Sequence, residues 1–229
     1  MKKISILLLM FVLLFTSTVA AHASTEAMAL EVIDLKGYTV NVLEKNNVYE
    51  KLQAINKKTG EVEYVESFLD GDHPRYVVTT EENEFIVIRT ETEILIYQDN
   101  EMLYREDLAQ FMNNKGVSNE VTPLDDYGPW TGWSYIHTSF HDIVDSLFLL
   151  AAMIAACIPG GATASDVIDL AGDIITMAIE NFWLKISLRQ RYDFSSGYGQ
   201  QENLAEAYRY SSYTGLIGSV NFYTYVIID

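Results

Sequence analysis

The chain has 229 residues, with 32 Asp and Glu against 15 Lys and Arg, a formal net charge of −17, and 49% hydrophobic residues. That apolar share is enough for a packed core and excludes general disorder. The acidic excess offers no basic surface to neutralise phosphates, which excludes nucleic acid as a partner. A single Cys excludes a disulfide framework and a Cys-based zinc site.

Residues 1–23 have the layout of a secretory signal peptide. Lys2 and Lys3 precede an apolar run from Ile4 to Phe15, and the small-residue triplet Ala21-His22-Ala23 closes it. The run is shorter than the roughly 20 residues of a membrane span. Neither a lipoprotein Cys nor a tail anchor is seen, so the expectation is a secreted, extracellular chain starting at Ser24. Cleavage there leaves 13 basic against 32 acidic residues, a net charge of −19.

Residues 24–112 read as an acidic β-rich domain, with a propeptide as one role for it. Val48–Asn56 and Val62–Phe68 flank Lys57-Lys58-Thr59-Gly60, whose glycine supplies the positive φ of a hairpin turn. Val62, Tyr64 and Phe68 alternate with Glu61, Glu63 and Ser67, the pattern of a sheet with one wet face. Further β-rich runs begin at Tyr76, Phe85 and Ile94, and Asp99-Asn100 is a tight turn into Glu101–Tyr104. An antiparallel meander of about five to seven strands is expected, with one short helix over Glu106–Asn113. Residues 113–129 are rich in turn formers and read as a linker.

Residues 130–229 change character. No charged residue occurs between Asp145 and Asp166. One helix is predicted from Ser139, capped by Asp142, to Ile158, where Pro159-Gly160-Gly161 ends it. A second is predicted from Thr163, with Asp166 as its capping partner, to Trp183. Asp166, Asp169, Asp173 and Glu180 fall at spacings of three, four and seven and form an acidic stripe on this second helix. Strand patterns return at Lys185–Phe194, Ala205–Tyr213 and Ser219–Ile228. The expected fold is therefore α+β: an N-terminal antiparallel β meander, then a helical hairpin packed with a small C-terminal antiparallel sheet.

The hairpin admits two readings. It is the core of the second part, or it is a membrane-insertion device whose contacts are Leu147, Phe148, Leu149, Leu150, Met153, Ile154 and Ile158, with Trp130 and Trp133 at the interface. The 13 residues from Ser146 to Ile158 are short for a span, and the acidic stripe resists burial in lipid. Paired tyrosines such as Tyr208 with Tyr210, or Tyr223 with Tyr225, share a sheet face and are candidates for contact with glycan or a bilayer surface. His137, His141 and Asp145 have the i, i+4, i+8 spacing of helix-borne metal ligands, without the Glu of a zinc protease beside the first His. Cys157 lies in the apolar run without a nearby His, and no nucleophile elbow or phosphate-binding glycine loop occurs. The expectation is a protein that is not an enzyme and needs no cofactor.

The signal peptide, the acidic leader region, the run Gly132-Trp133-Ser134-Tyr135-Ile136-His137-Thr138, the hairpin broken by Pro-Gly-Gly and the Tyr-rich tail together resemble the large unmodified bacteriocins of Gram-positive bacilli, the geobacillin-like group. The resemblance covers residues 128–215, with the seven-residue run as its one pointed motif. It implies a secreted antibacterial protein without catalytic residues, a target-cell membrane or envelope component as partner, and an immunity protein in the producer. The acidic bias departs from the cationic character of most membrane-active peptides. The alternative is a non-enzymatic envelope or glycan-binding module.

Overall fold

The computed structural model describes residues 29–69, 73–107, 130–140, 146–179, 181–193 and 198–227. The expected signal peptide and linker lie outside these, as do residues 108–113 of the helix expected at Glu106.

Eight strands form one antiparallel meander in sequence order: β1 (Glu31–Asp34), β2 (Tyr38–Lys45), β3 (Tyr49–Asn56), β4 (Val62–Phe68), β5 (Arg75–Thr79), β6 (Glu84–Arg89), β7 (Glu93–Gln98) and β8 (Glu101–Asp107). Gly60 takes φ +80° in the β3–β4 turn. Asp99 and Asn100, at φ 48° and 71°, form a two-residue turn whose paired positive φ values suit the twist of a hairpin. Period-two alternation puts Val40, Val42, Leu52, Ala54, Val65, Val78, Phe85, Val87, Ile94 and Ile96 on one buried face.

The second sheet has four strands in the order β12-β11-β10-β9. They are β9 (Ser134–Phe140), β10 (Phe182–Asp193), β11 (Tyr198–Tyr210) and β12 (Thr214–Ile227), all antiparallel. Two helices, α1 (Leu147–Ala156) and α2 (Ala164–Thr176), lie between the sheets. Helix α1 packs on β4, β5 and β6, and α2 packs on α1, β11 and β12. One contiguous apolar core runs from the meander through both helices to β10 and β11.

The expectation of an α+β protein built on a helical hairpin is overturned. The described residues are mostly β, with twelve strands and only two short helices of 10 and 13 residues. The helix expected from Ser139 starts at Leu147, because Ser134–Phe140 is a strand. Its inward residues Ile136, Thr138 and Phe140 face Ile186, Leu184 and Phe182 of β10, and the Phe140 and Phe182 rings stack at 5.1 Å. The second helix stops at Thr176 instead of Trp183, where Ala178 takes a positive φ of 49° and the chain turns into β10.

The buried polar groups explain how the helices are seated. Glu63, on the inner face of β4, accepts hydrogen bonds from the Ser146 hydroxyl (2.6 Å) and from the amides of Leu147 (3.1 Å) and Phe148 (3.3 Å). Ser146, the N-cap of α1, also accepts from the Leu149 amide at 3.1 Å. At the other end of α1, Arg89 of β6 donates to the Ala156 carbonyl at 2.7 Å. Glu50 of β3 accepts from the Ser165 amide at 3.1 Å, Ser67 of β4 accepts from the Ala164 amide at 3.3 Å, and Tyr76 donates to the Ala162 carbonyl at 2.6 Å. Carboxylates thus meet helix N-termini and a guanidinium meets a C-terminus, the signs the helix dipole favours. The wet face expected for β4 is inverted as a consequence: Glu63 and Ser67 point into the core, while Val62, Tyr64 and Phe68 lie half-buried on the other side.

Cys157 caps the C-terminus of α1 and is buried, with its thiol pushed up to about 12 by burial. We expect it to resist alkylation in native buffer and to react only as the core opens, so its labelling rate reports opening of the helix–meander contact. Prompt labelling in native buffer, with far-UV circular dichroism unchanged, would contradict this packing.

Candidate functional site

The inner face of the four-stranded sheet is spent on the helices, so its chemistry lies on the outer face. Alternation along β10 sends Phe182, Leu184 and Ile186 inward and Lys185, Arg189 and Arg191 outward. The segment before β9 follows the edge of β10: the Thr131 amide donates to the Gln190 carbonyl at 2.7 Å, and the Gln190 amide donates to the Thr131 hydroxyl at 2.9 Å. These two bonds set Trp130 and Trp133 over the arginines.

The result is an interleaved stack. The Arg189 guanidinium lies 4.8 Å from the Trp130 ring and 4.6 Å from the Trp133 ring, and Arg191 lies 4.6 Å from the Trp130 ring. Such contacts combine quadrupole attraction with burial of the guanidinium plane. Arg189 Nε donates to Glu202 at 2.6 Å, and Glu202 also accepts from the Asn221 amide group at 3.1 Å. Tyr223 of β12 sits 6.4 Å from Trp130. Further along the face, Lys185 lies 5.2 Å from the Tyr135 ring and pairs with Glu206 at 3.3 Å. The His137 and Tyr213 rings lie 4.5 Å apart at a 36° tilt, and Tyr208 meets Tyr213 edge-on. Of the four basic residues after residue 130, Lys185, Arg189 and Arg191 belong to this face.

The fold disperses the site residues expected from the sequence. Trp130 and Trp133 join the outer face. Leu147, Phe148, Leu149, Leu150, Ile154 and Ile158 are fully buried between the sheets, and Met153 is half-buried. No helix among the described residues is long and apolar enough to cross a membrane. Asp166 accepts from the amide of Thr163, the N-cap of α2, at 2.8 Å as the reciprocal half of a capping box, Asp169 and Asp173 are exposed, and Glu180 lies outside the described residues. The metal triad loses its geometric basis, because His137 sits on a strand, where residues four apart are not one helical turn apart. His141 and Asp145 lie outside the described residues. Burial, with Lys185 adding to it, holds the His137 imidazole below its ordinary value. No cluster of three or more metal-ligating side chains occurs among the described residues.

A cleft of about 210 Å³ opens at the N-terminus of α1, lined by Glu61, Glu63, Glu81, Glu82 and Ser146 among others. Its one buried carboxylate, Glu63, is fully engaged with the helix. The residues that sequence reasoning misses are Arg189 and Arg191; their i, i+2 spacing on a strand is the available signal for a cationic outer face. No protein-family model, curated protein or solved structure matches this chain.

Proposed function

We propose that this is a secreted, bacteriocin-like antibacterial protein that meets the target-cell envelope through the aromatic–arginine face of the four-stranded sheet. One observation carries the reading. The run Gly132–Thr138, on which the resemblance to the geobacillin-like bacteriocins rests, supplies Trp133, Tyr135 and His137 to that face. Lys185 and Arg189 are paired with Glu206 and Glu202 on that face, so its charge is nearly balanced in a chain of net charge −17, which lessens repulsion from an anionic envelope polymer. The apolar residues of α1 are sealed and their helix ends are tied to the meander, so contact through the outer face requires no opening of the core.

The test is growth of related Gram-positive strains exposed to the purified protein. The wild type should inhibit growth. Arg189→Ala and Trp133→Ala, checked for fold by circular dichroism, should raise the inhibitory concentration about tenfold or more, the equivalent of 1.4 kcal/mol of lost contact. Binding to cell walls without inhibition would replace this reading with the glycan-binding one. Inhibition unaffected by either substitution would place the contact elsewhere.

A further inference from the structure

The outer face of the four-stranded sheet carries its charges in partnership. Arg189 Nε meets Glu202 at 2.6 Å, Lys185 meets Glu206 at 3.3 Å, and Arg191 Nε donates to the Gln200 side chain at 2.9 Å. Pairing removes repulsion towards an anionic polymer but leaves little net attraction, so this face offers hydrogen bonds and rings. The strand registers set these out in two neighbouring rows that cross the sheet. One row is Tyr135, Ser187, Leu204 and Asn221. The next is Arg189, Glu202 and Tyr223, with the Trp133 ring 4.6 Å from Arg189. Tyr135 and Tyr223, 37% and 53% exposed, stand on the two edge strands, three inter-strand steps or about 14 Å apart. Between them Ser187 is 3% exposed, a small side chain enclosed by larger neighbours. The middle of the strip is polar: Glu202 accepts from Arg189 on one oxygen and from the exposed Asn221 on the other.

We propose that this strip binds an uncharged polysaccharide strand, with several linked pyranose rings lying across the sheet from Tyr135 to Tyr223. The inference rests on the reading that this face meets the target envelope, and it names what is bound there. Hydrogen-bond chemistry selects the occupant. Sugar hydroxyls donate and accept at once, and the Arg189–Glu202–Asn221 array sets donors beside acceptors. The guanidinium keeps N–H groups beyond the one spent on Glu202, and each Glu202 oxygen keeps a lone pair. Arg189 is held between two Trp rings and Glu202 between two donors, so the array is ordered before a ligand arrives, which lowers the entropy cost of binding. A pyranose ring also has a C–H face that packs on an aromatic ring, and an exposed tyrosine pairs an apolar body with a polar tip. The separation of Tyr135 from Tyr223 is too wide for one sugar ring and suits several in a chain. A lipid surface would desolvate the Arg189–Glu202 pair without returning hydrogen bonds. An anionic polymer would meet Glu202 and Glu206 as well as the cations.

Isothermal titration calorimetry of the purified protein tests this with two uncharged probes, the hexamers of β-1,4-linked N-acetylglucosamine and of β-1,4-linked glucose. At least one should bind, with an affinity that changes less than twofold between about 0.05 and 0.5 M NaCl, since no net charge enters the contact. Tyr223→Ala and Asn221→Ala should each weaken that binding about tenfold, and Tyr223→Phe should largely retain it. Poly(glycerol phosphate), an anionic chain, should not compete. Glu202→Gln leaves Arg189 without its counter-charge, and should weaken the hexamer while admitting poly(glycerol phosphate). Circular dichroism verifies each fold, and if Glu202→Gln misfolds, the substitutions at the exposed positions Tyr223 and Asn221 decide. Binding of neither hexamer, loss of binding in salt, displacement by poly(glycerol phosphate), or an affinity unmoved by both alanine substitutions would overturn the proposal. Growth inhibition is a separate readout. Hexamer binding without killing upholds the strip as a glycan site and ends the antibacterial reading, whereas killing without hexamer binding ends this proposal alone.

Discussion

Replacing Phe148 with Ala should cost about 3–5 kcal/mol of folding stability, the range for emptying a fully buried aromatic site. Phe148 sits in the first turn of α1, fully buried, where the helix meets β4, β5 and β6. The flanking Leu147, Leu149 and Leu150 are buried too, so neighbouring side chains have little room to collapse into the cavity. Because one core joins the meander, the helices and the second sheet, the loss should appear as a single shifted denaturant transition with an unchanged slope. A loss under about 1 kcal/mol would mean that α1 is not packed as described. Two separated transitions would mean that the meander and the later strands unfold independently.

Glu63→Ala should cost roughly 2–4 kcal/mol, because it leaves the Ser146 hydroxyl and the Leu147 and Phe148 amides buried without their acceptor. Glu63→Gln should cost less, since its carbonyl oxygen still accepts. The pH dependence separates the two roles of the carboxylate. Burial raises the Glu63 pKa above its ordinary value, against the opposing pull of its three hydrogen bonds. A raised folded-state value means that the native protein holds this proton more tightly than the unfolded chain. The stabilising contribution is therefore full below the unfolded pKa and is lost as pH rises through the folded one. Relative to Glu63→Gln, the wild type should gain stability as pH falls from neutral towards the ordinary carboxylate range. Denaturation midpoints of both proteins across that range give the comparison, which also cancels the repulsion shared by the other carboxylates. A wild type that loses stability relative to the glutamine variant on acidification would reverse the assignment.

The contrast between these two residues shows where sequence reasoning reaches and where it stops. Phe148 lies in a charge-free apolar run, from which the sequence says only that it is covered, by core or by lipid; the fold places it in the core. Alternation places Glu63 on the solvent face, because it sorts polar from apolar residues without knowing what each face meets. Only the docking of helix ends onto the meander makes an inward carboxylate favourable, and that contact joins residues 83 to 85 positions apart. Local turn chemistry is readable at Gly60 and Asp99-Asn100, as is the Thr163–Asp166 cap of α2. Strand β9 is not, although Ile136, Thr138 and Phe140 alternate with Tyr135, His137 and Ser139. Its pairing partner begins at Phe182, and the apolar run that follows β9 draws the helix reading forward. The end of α2 is hidden for a similar reason: no glycine marks the turn at Ala178, and Phe182 and Trp183 continue an apolar pattern that belongs to β10. The aromatic half of the candidate face is legible as Trp130 and Trp133. Its cationic half is not, because the stack exists only once β10 is laid beside the segment preceding β9.

The proposed contact with a target-cell envelope uses the outer face and would leave the helices clamped to the meander. Cysteines at positions 67 and 164 in a Cys157→Ala background test it most directly, since the Ser67 hydroxyl lies 3.3 Å from the Ala164 amide and a disulfide there would tie β4 to the start of α2. Growth inhibition by the oxidised protein should equal that of the reduced protein at every concentration. Inhibition that appears only after reduction would show that the helices must leave the meander to act, and would contradict the account.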